Sequence, residues 1–543
     1  MVMSFFPKQF RSRIYLTIAF LSLFLFAVNL LQIRPLVVSV NDFLGLFAHL
    51  TISYWVGLVL IVFCSITAYL DREMKNDLIL LCILIVFALY LQGVAILAED
   101  NARIAWSYYP PHEVTSILST HHINILSPQY IQYNSWPALH FISATLMYIL
   151  GISFTSLIKY VPLLFYLAHV IITFAIGKQL KFTSNQCFLL SFLSLACFWQ
   201  EQYYYASASL ALLVFLLIFM CIINLKETNQ WNLLILLLFV ATVASHLLTS
   251  LALVMVTIVY AIYRRKIQYA LIFLGIFTAW TMYLAYSVFS VGVNTFFAQI
   301  AKLDVFEFFK AGKYTLGPAT LQGNIIAISH YAYPLVFFIF MLIALIFYLK
   351  DRQKSEAKNK LGICFSWIIG LLVLLVLPYS EQMDMRVFLF AVIPMICALL
   401  LSFSNRTVFV CLMILFTVLH IPAHYGAEAG EQTYSSELAG TKYYATQIDY
   451  RQSFVYPLDP YITYQNEQYR NPTREVSLIG TTAPPISVLD EMAYLIDSKS
   501  SNATYELILH YDPIRDWDTN NRKLTLIYNN GDFKIFYNSK NYK

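Results

Sequence analysis

The sequence predicts an α-helical polytopic membrane protein of about thirteen transmembrane helices, ending in a small extracytoplasmic mixed α/β domain. Three observations predict it. Of 543 residues, 59% are hydrophobic and only 12% charged, whereas roughly a quarter of a soluble domain is charged. Apolar runs able to cross a ~30 Å hydrocarbon core recur along the chain, and the mean hydropathy is +0.65. Only the stretch from Tyr425 onward is polar enough to face water as a domain. All eight cysteines fall in apolar runs, so neither a disulfide framework nor a thiolate metal site is implied.

Basic residues orient these runs, because Lys and Arg stay on the cytoplasmic side. Lys8, Arg11 and Arg13 precede the first run and put the N-terminus inside; no small-residue cleavage site follows, so the run reads as an anchor. Spans follow at 14–33, 43–70 and 77–98, with the connector DREMKND inside, which sends Glu99 and Asp100 outside. The connectors GKQLK (177–181), NLKE (224–227), YRRK (263–266), KDRQKSEAKNK (350–360) and SNR (404–406) share the cytoplasmic side only if an even number of spans separates each pair. Spans at 157–177, 186–203, 207–225, 231–248, 250–263, 268–290, 330–349, 361–378, 386–403 and 407–424 satisfy that condition, provided 137–153 does not cross. That stretch is short and opens with Trp136, Pro137 and His140, which suits an interfacial or re-entrant helix. An ordinary short span there is the alternative, and it would invert everything downstream.

The chain thus divides into two N-terminal helices (1–76), a membrane domain (77–424) with outside loops 99–136 and 291–329, and the outside tail 425–543. Strand-like runs in the tail are EVSLIG (475–480), YELILHY (505–511) and KLTLIYNNGDFKIFY (523–537), the last with Asn530-Gly531 as a tight hairpin turn. The expected location is the cell (plasma) membrane, with membrane lipids as surroundings and no nucleic-acid partner.

Glu99 and Asp100 stand at the mouth of the third span. As an ordinary span end they would meet interfacial water and pair with Arg103, one helical turn away. Their context points further. AEDNARIAW opens an outside loop; SWPALHFISATLMYILGIS (135–153) follows, and then LIKYVPLLFYLAHV (157–170), with Lys159 and Pro162. A Tyr-rich approach, EQYYYASASLALLVFLLIF (201–219), leads into another span, ASHLLTSLAL (244–253) forms an outside turn, and MRVFLFAVIPMICALL (385–400) is a late span with an arginine at its mouth. In this order the stretches resemble the GT-C superfamily of membrane glycosyltransferases, which includes protein O-mannosyltransferases and lipid A aminoarabinose transferases. The resemblance runs from about residue 77 to the end, and the first two spans are extra.

The resemblance implies transfer of a sugar from a polyprenyl-phosphate donor to a hydroxyl acceptor on a glycan, lipid or protein, at the outer face of the membrane. A hydroxyl loses its proton as it attacks, so a carboxylate at that depth suits a general base. Asp100 is the residue chosen for this role. Glu99 orients it or binds a divalent cation, Mg²⁺ or Mn²⁺ being the hard ions expected. The leaving phosphate calls for a cation, and Arg386 is the first candidate, with Arg103 as another. His246, His140 and Lys159 complete the substrate-binding candidates.

Other polar residues read more simply. His112, Glu113, His121 and His122 fit no metal-ligand spacing and read as solvated loop; His169 reads as a neutral, hydrogen-bonded core histidine. Glu381 and Asp384 read as neutralising Arg386, and Lys302, Lys310 and Lys313 as a solvated basic face. A transporter or lipid flippase, the main rival class, tends to carry charges deep in its spans and Gly- or Pro-broken helices in two related halves, and the chain displays neither. A non-catalytic scaffold binding through the tail would need no acidic pair at the third span.

Overall fold

The computed structural model describes residues 7–33, 36, 38–39, 42, 44–108, 111–123, 135–197, 203–223, 229–265, 267–286, 288, 321–350, 356–376, 383–447, 452–455, 475–478, 494–504 and 524–538. The helices are α1 (Lys8–Gln32), α2 (Ile52–Leu70), α3 (Asp77–Ala98), α4 (Pro111–Thr120), α5 (Ala138–Leu150), α6 (Phe154–Gln179), α7 (Ser184–Ala196) and α8 (Ser207–Ile223). They continue as α9 (Asn229–Ser245), α10 (Leu247–Arg264), α11 (Ile267–Tyr283), α12 (Leu321–Lys350), α13 (Glu356–Leu372), α14 (Met383–Ser402), α15 (Arg406–Tyr425) and α16 (Ser435–Gln447). Nine helices among the described residues are long and apolar enough to cross a membrane, and five shorter apolar ones accompany them.

Local chemistry sets the helix ends. The Asn76 side chain accepts from the Leu78 and Ile79 amides to cap α3, Thr183 and Gln186 form a reciprocal capping box on α7, and Asn405 caps α15. Gly151, at φ +63°, ends α5. Inside α3 the segment Leu89–Gly93 widens into a π turn. Two of its carbonyls find hydroxyl donors elsewhere: Tyr54 donates to Tyr90 O and Tyr425 to Leu91 O, each at 2.5 Å. The turn thereby fastens α2 and α15 to α3.

The bundle has two chemically distinct ends. At one, Arg11 pairs with Asp71 (3.1 Å) and Glu73 (2.7 Å), Lys178 with Asp77 (2.8 Å), and Lys181 and Lys360 with Glu356. Arg406 donates to Leu70 O at 2.8 Å there as well, so basic connectors distant in sequence gather at this end. At the other end Lys159 Nζ donates to the carbonyls of Glu99 (2.7 Å) and Asp100 (3.2 Å). The chain therefore leaves α3 and enters α6 at the same end. The intervening α5 has 13 residues, about 20 Å of helix, which is less than a ~30 Å core. Large apolar side chains such as Phe20, Phe24, Leu164, Leu237, Leu335 and Phe338 face outward, a surface suited to lipid rather than water.

Three element limits depart from the hydropathy reading. The second span begins only at Ile52, because Gly45 (φ +53°) starts a short 3₁₀ turn and the Asn29 side chain accepts from the Thr51 amide and hydroxyl. Apolar run 186–203 stops as a helix at Ala196. Conversely, α12 starts at Leu321 instead of 330, since its polar first turns are used in packing: Gln322 donates to Asp42 O and Gly426 O, and His330 Nε2 meets Ala423 O at 2.5 Å.

In the tail, β1 (Gln452–Val455) and β2 (Glu475–Leu478) pair in parallel. β3 (Tyr494–Ser498), β4 (Leu524–Asn529) and β5 (Phe533–Asn538) form an antiparallel sheet in the order β3-β5-β4. The hairpin joining β4 to β5 turns at Asn530-Gly531, with Gly531 at φ +100°. YELILHY lies outside the described residues. α16 packs on the sheet where Gly440 lies against the Phe533 ring.

Candidate functional site

Beyond α15 the chain makes a single helical turn, Glu428–Glu431, that closes over the mouth of α3. Arg103 reaches into it and is buried. Its Nε donates to both Glu428 carboxylate oxygens (2.7 and 2.9 Å), and a terminal nitrogen donates to His424 O (2.8 Å) and forms an ion pair with Glu431 (2.6 Å). The guanidinium also lies over the Tyr425 ring, 4.8 Å from its centre. Glu99 is buried here too, its carboxyl abutting that of Glu428 without a well-formed hydrogen bond. Burial, and after it the Glu428 charge, push the Glu99 carboxyl far above the usual range; Arg103 opposes this. The upward shift limits the build-up of a third buried negative charge against one guanidinium.

The acidic pair is split by its surroundings. Asp100 is exposed beside the cleft-lining Asn101, while Glu99 lies beneath in the ion cluster. Arg103, expected to pair within its own loop, is held instead by residues more than 300 positions away. The carboxylates beside Glu99 are engaged by the guanidinium, so as arranged they do not fit a divalent cation. Among the described residues no group of three or more His, Cys, Asp or Glu is disposed to hold a metal.

Above this cluster opens a recess of about 390 Å³, lined by Gln92, Asn101, Arg103, Lys159, Tyr166, Tyr203 and Tyr204 among others. Gln92 comes from the π turn of α3, and its amide nitrogen meets His420 Nε2 at 3.2 Å. A second recess, of about 380 Å³, shares Tyr203 and Tyr204 and is lined also by Ser209, His246, Arg386 and Phe390. Half-buried Arg386 comes from the first turn of α14 and His246 from the N-cap of α10. His246 Nδ1 accepts from the Thr249 amide at 3.4 Å, so in the neutral ring the proton sits on Nε2.

The candidates therefore sort as follows. Arg103 and Lys159 line the first recess and His246 and Arg386 the second; Asp100 lines neither, although its chain neighbour Asn101 lines the first. Lys159 acts through the two backbone carbonyls it holds, fixing the acidic segment in place. His140 is buried in α5 and lines neither recess. His121 and His122 are exposed, in keeping with a solvated loop, but Glu113 of α4 is buried and neither of its oxygens has a hydrogen-bond partner. Burial pushes its carboxyl up to about 8. Glu381, Lys302, Lys310, Lys313 and the side chains of His112 and Asp384 lie outside the described residues.

Sequence reasoning missed Glu428, Glu431, His424, Gln92 and Tyr166. The available signal was GAEAGE directly after the last apolar run, an acidic cluster at the same end as Arg103. No protein-family model matches the chain, and no curated protein matches it.

Proposed function

We propose that the chain is a GT-C-like integral membrane glycosyltransferase that moves a sugar from a polyprenyl-phosphate donor to a hydroxyl acceptor. The observation that carries this reading is the pair of adjoining recesses: one has Arg386 and His246 on its wall, the other has polar and tyrosine side chains, among them Asn101, the chain neighbour of the exposed Asp100. Both lie at the helix mouths, where a lipid tail could stay among apolar helices while its head group enters the cleft.

In this reading the donor phosphate sits against Arg386, whose planar guanidinium can meet two phosphate oxygens, with His246 Nε2–H as a neighbouring donor. The acceptor hydroxyl enters beside Asn101. Its oxygen attacks the anomeric carbon as the carbon–oxygen bond to phosphate breaks; the bonding pair leaves with the lipid phosphate, and the proton passes to Asp100. Lys159 keeps the Glu99–Asp100 backbone in register, and Glu99 supports Arg103 and Glu428 beneath. No step is routed through a metal. Thirteen crossings, made by the nine long helices and four of the shorter ones, with a cytoplasmic N-terminus and an extracytoplasmic tail, complete the proposal.

The test is a transfer assay on the purified full chain with a panel of polyprenyl-phosphate and nucleotide sugars. Turnover is expected only with lipid-phosphate sugars and should fall with Arg386→Ala. Unchanged donor affinity and turnover in that variant would move the phosphate site elsewhere.

A further inference from the structure

Tyr203 and Tyr204 are the residues common to both recesses, and Tyr203 is buried. Its ring is held edge-on by Tyr166, with centres 5.1 Å apart. Its hydroxyl lies 3.0 Å from His169 Nδ1, deep in α6, and the other ring nitrogen lies 3.0 Å from Ser194 Oγ on α7. Ser194 Oγ donates to Ser191 O at 2.8 Å, and with its proton there it accepts from His169 Nε2–H. In the neutral ring Nδ1 is then an acceptor, and the Tyr203 hydroxyl donates to it. All four residues are buried, so no water replaces a broken link cheaply.

We infer that His169 is a positioning residue, locking Tyr203 as the partition between the two recesses. This rests on the glycosyltransferase reading and deepens it: the anionic head of the donor and the hydroxyl-bearing acceptor occupy separate compartments, and the anionic compartment keeps its shape only while Tyr203 is held. His169 touches neither substrate.

Two measurements on the full chain in lipid nanodiscs test this. The first is a double-mutant cycle read as the Kd of farnesyl phosphate. His169→Phe and Tyr203→Phe should each weaken binding about tenfold, as expected for loss of one buried hydrogen bond. The double variant should be no worse than either single one, and His169→Gln, which can still donate to Ser194 and accept from Tyr203, should restore most of the affinity. Two residues acting independently of each other would leave the two losses additive. The second is the ¹⁹F resonance of 3-fluorotyrosine at position 203, which needs no ligand; it should move and broaden in His169→Phe but not in His169→Gln. An unchanged resonance, or additive losses in Kd, overturns the inference. A responsive resonance together with no farnesyl phosphate binding, or with binding indifferent to Arg386→Ala, upholds the lock and sinks the functional reading instead.

Discussion

Asp100 and Glu99 are adjacent in sequence and opposite in environment, and the difference decides what each substitution does. Asp100→Asn keeps the shape of an exposed side chain and removes its proton-accepting charge. Turnover should fall by ~10²–10⁴-fold with little change in donor binding. Glu99→Gln replaces a buried carboxyl whose charge its surroundings disfavour by an amide of the same shape that can donate to Glu428, so activity and stability should stay close to wild type. Arg103→Ala is the severe change of the three. It strips Glu428 and Glu431 of their shared guanidinium, and breaking such a buried pair costs roughly 3–5 kcal/mol. Thermal unfolding of the three variants in one detergent would rank them. Glu113 adds a pH dependence of definite sign. Its folded carboxyl titrates near 8, above the 4.5 of a free one, so the folded chain holds the proton across that window. Stability should be highest below the lower value, fall by up to ~1.4 kcal/mol per pH unit through the window, and level off above it. Glu113→Gln should flatten this slope, and thermal midpoints taken between pH 5 and pH 9 read it directly.

At the scale of elements, the two N-terminal helices acquire a structural role. Their connecting loop presses on the end of α15 so closely that a Cβ on Gly45 would lie 1.6 Å from Tyr425 O, and Gly45 itself holds a positive φ. Gly45→Ala should therefore lower the yield of folded protein sharply, whereas Gly531→Ala, with open space around it, should suffer only the strain of its turn. The π turn of α3 gives a gentler probe. Tyr54→Phe and Tyr425→Phe each remove the hydroxyl that satisfies a carbonyl of that turn, and each should cost about 1–3 kcal/mol. Neither feature was legible in the sequence. Leu89–Gly93 reads as an uninterrupted apolar helix, and its widened hydrogen bonding depends on hydroxyls arriving from other helices. The Asn530-Gly531 hairpin was legible because its signal is local: a residue tolerant of positive φ between alternating strands.

Over the whole molecule, one periodic signal and one charge signal carried the organisation, and pairing between distant segments did not show. Apolar runs and basic connectors located the helices and the end at which Arg11, Asp71, Lys178 and Arg406 collect. They also led to the shortness of α5 and to the shared end of α3 and α6. Hidden from such reading were Arg103 with Glu428, the burial of Glu113 and the bond from Tyr203 to His169, each a contact between segments that only folding brings together. His169 itself was recognisable as a core histidine, though not what it holds. The same charges predict the orientation in the membrane: cysteine labelling should find positions near 265 and 355 on the cytoplasmic side, with those near 110, 310 and 480 opposite. Labelling 110 and 265 from the same side would contradict the map. The central claim, sugar transfer at this cleft, is tested most directly by one reaction: wild type and Asp100→Asn in lipid nanodiscs with a radiolabelled polyprenyl-phosphate sugar panel, following glycoside formed and free lipid phosphate released. The account predicts equal amounts of both products from at least one donor in the wild type, and a loss of ~10²–10⁴-fold in the variant. Release from no donor, or a variant as fast as wild type, would contradict it.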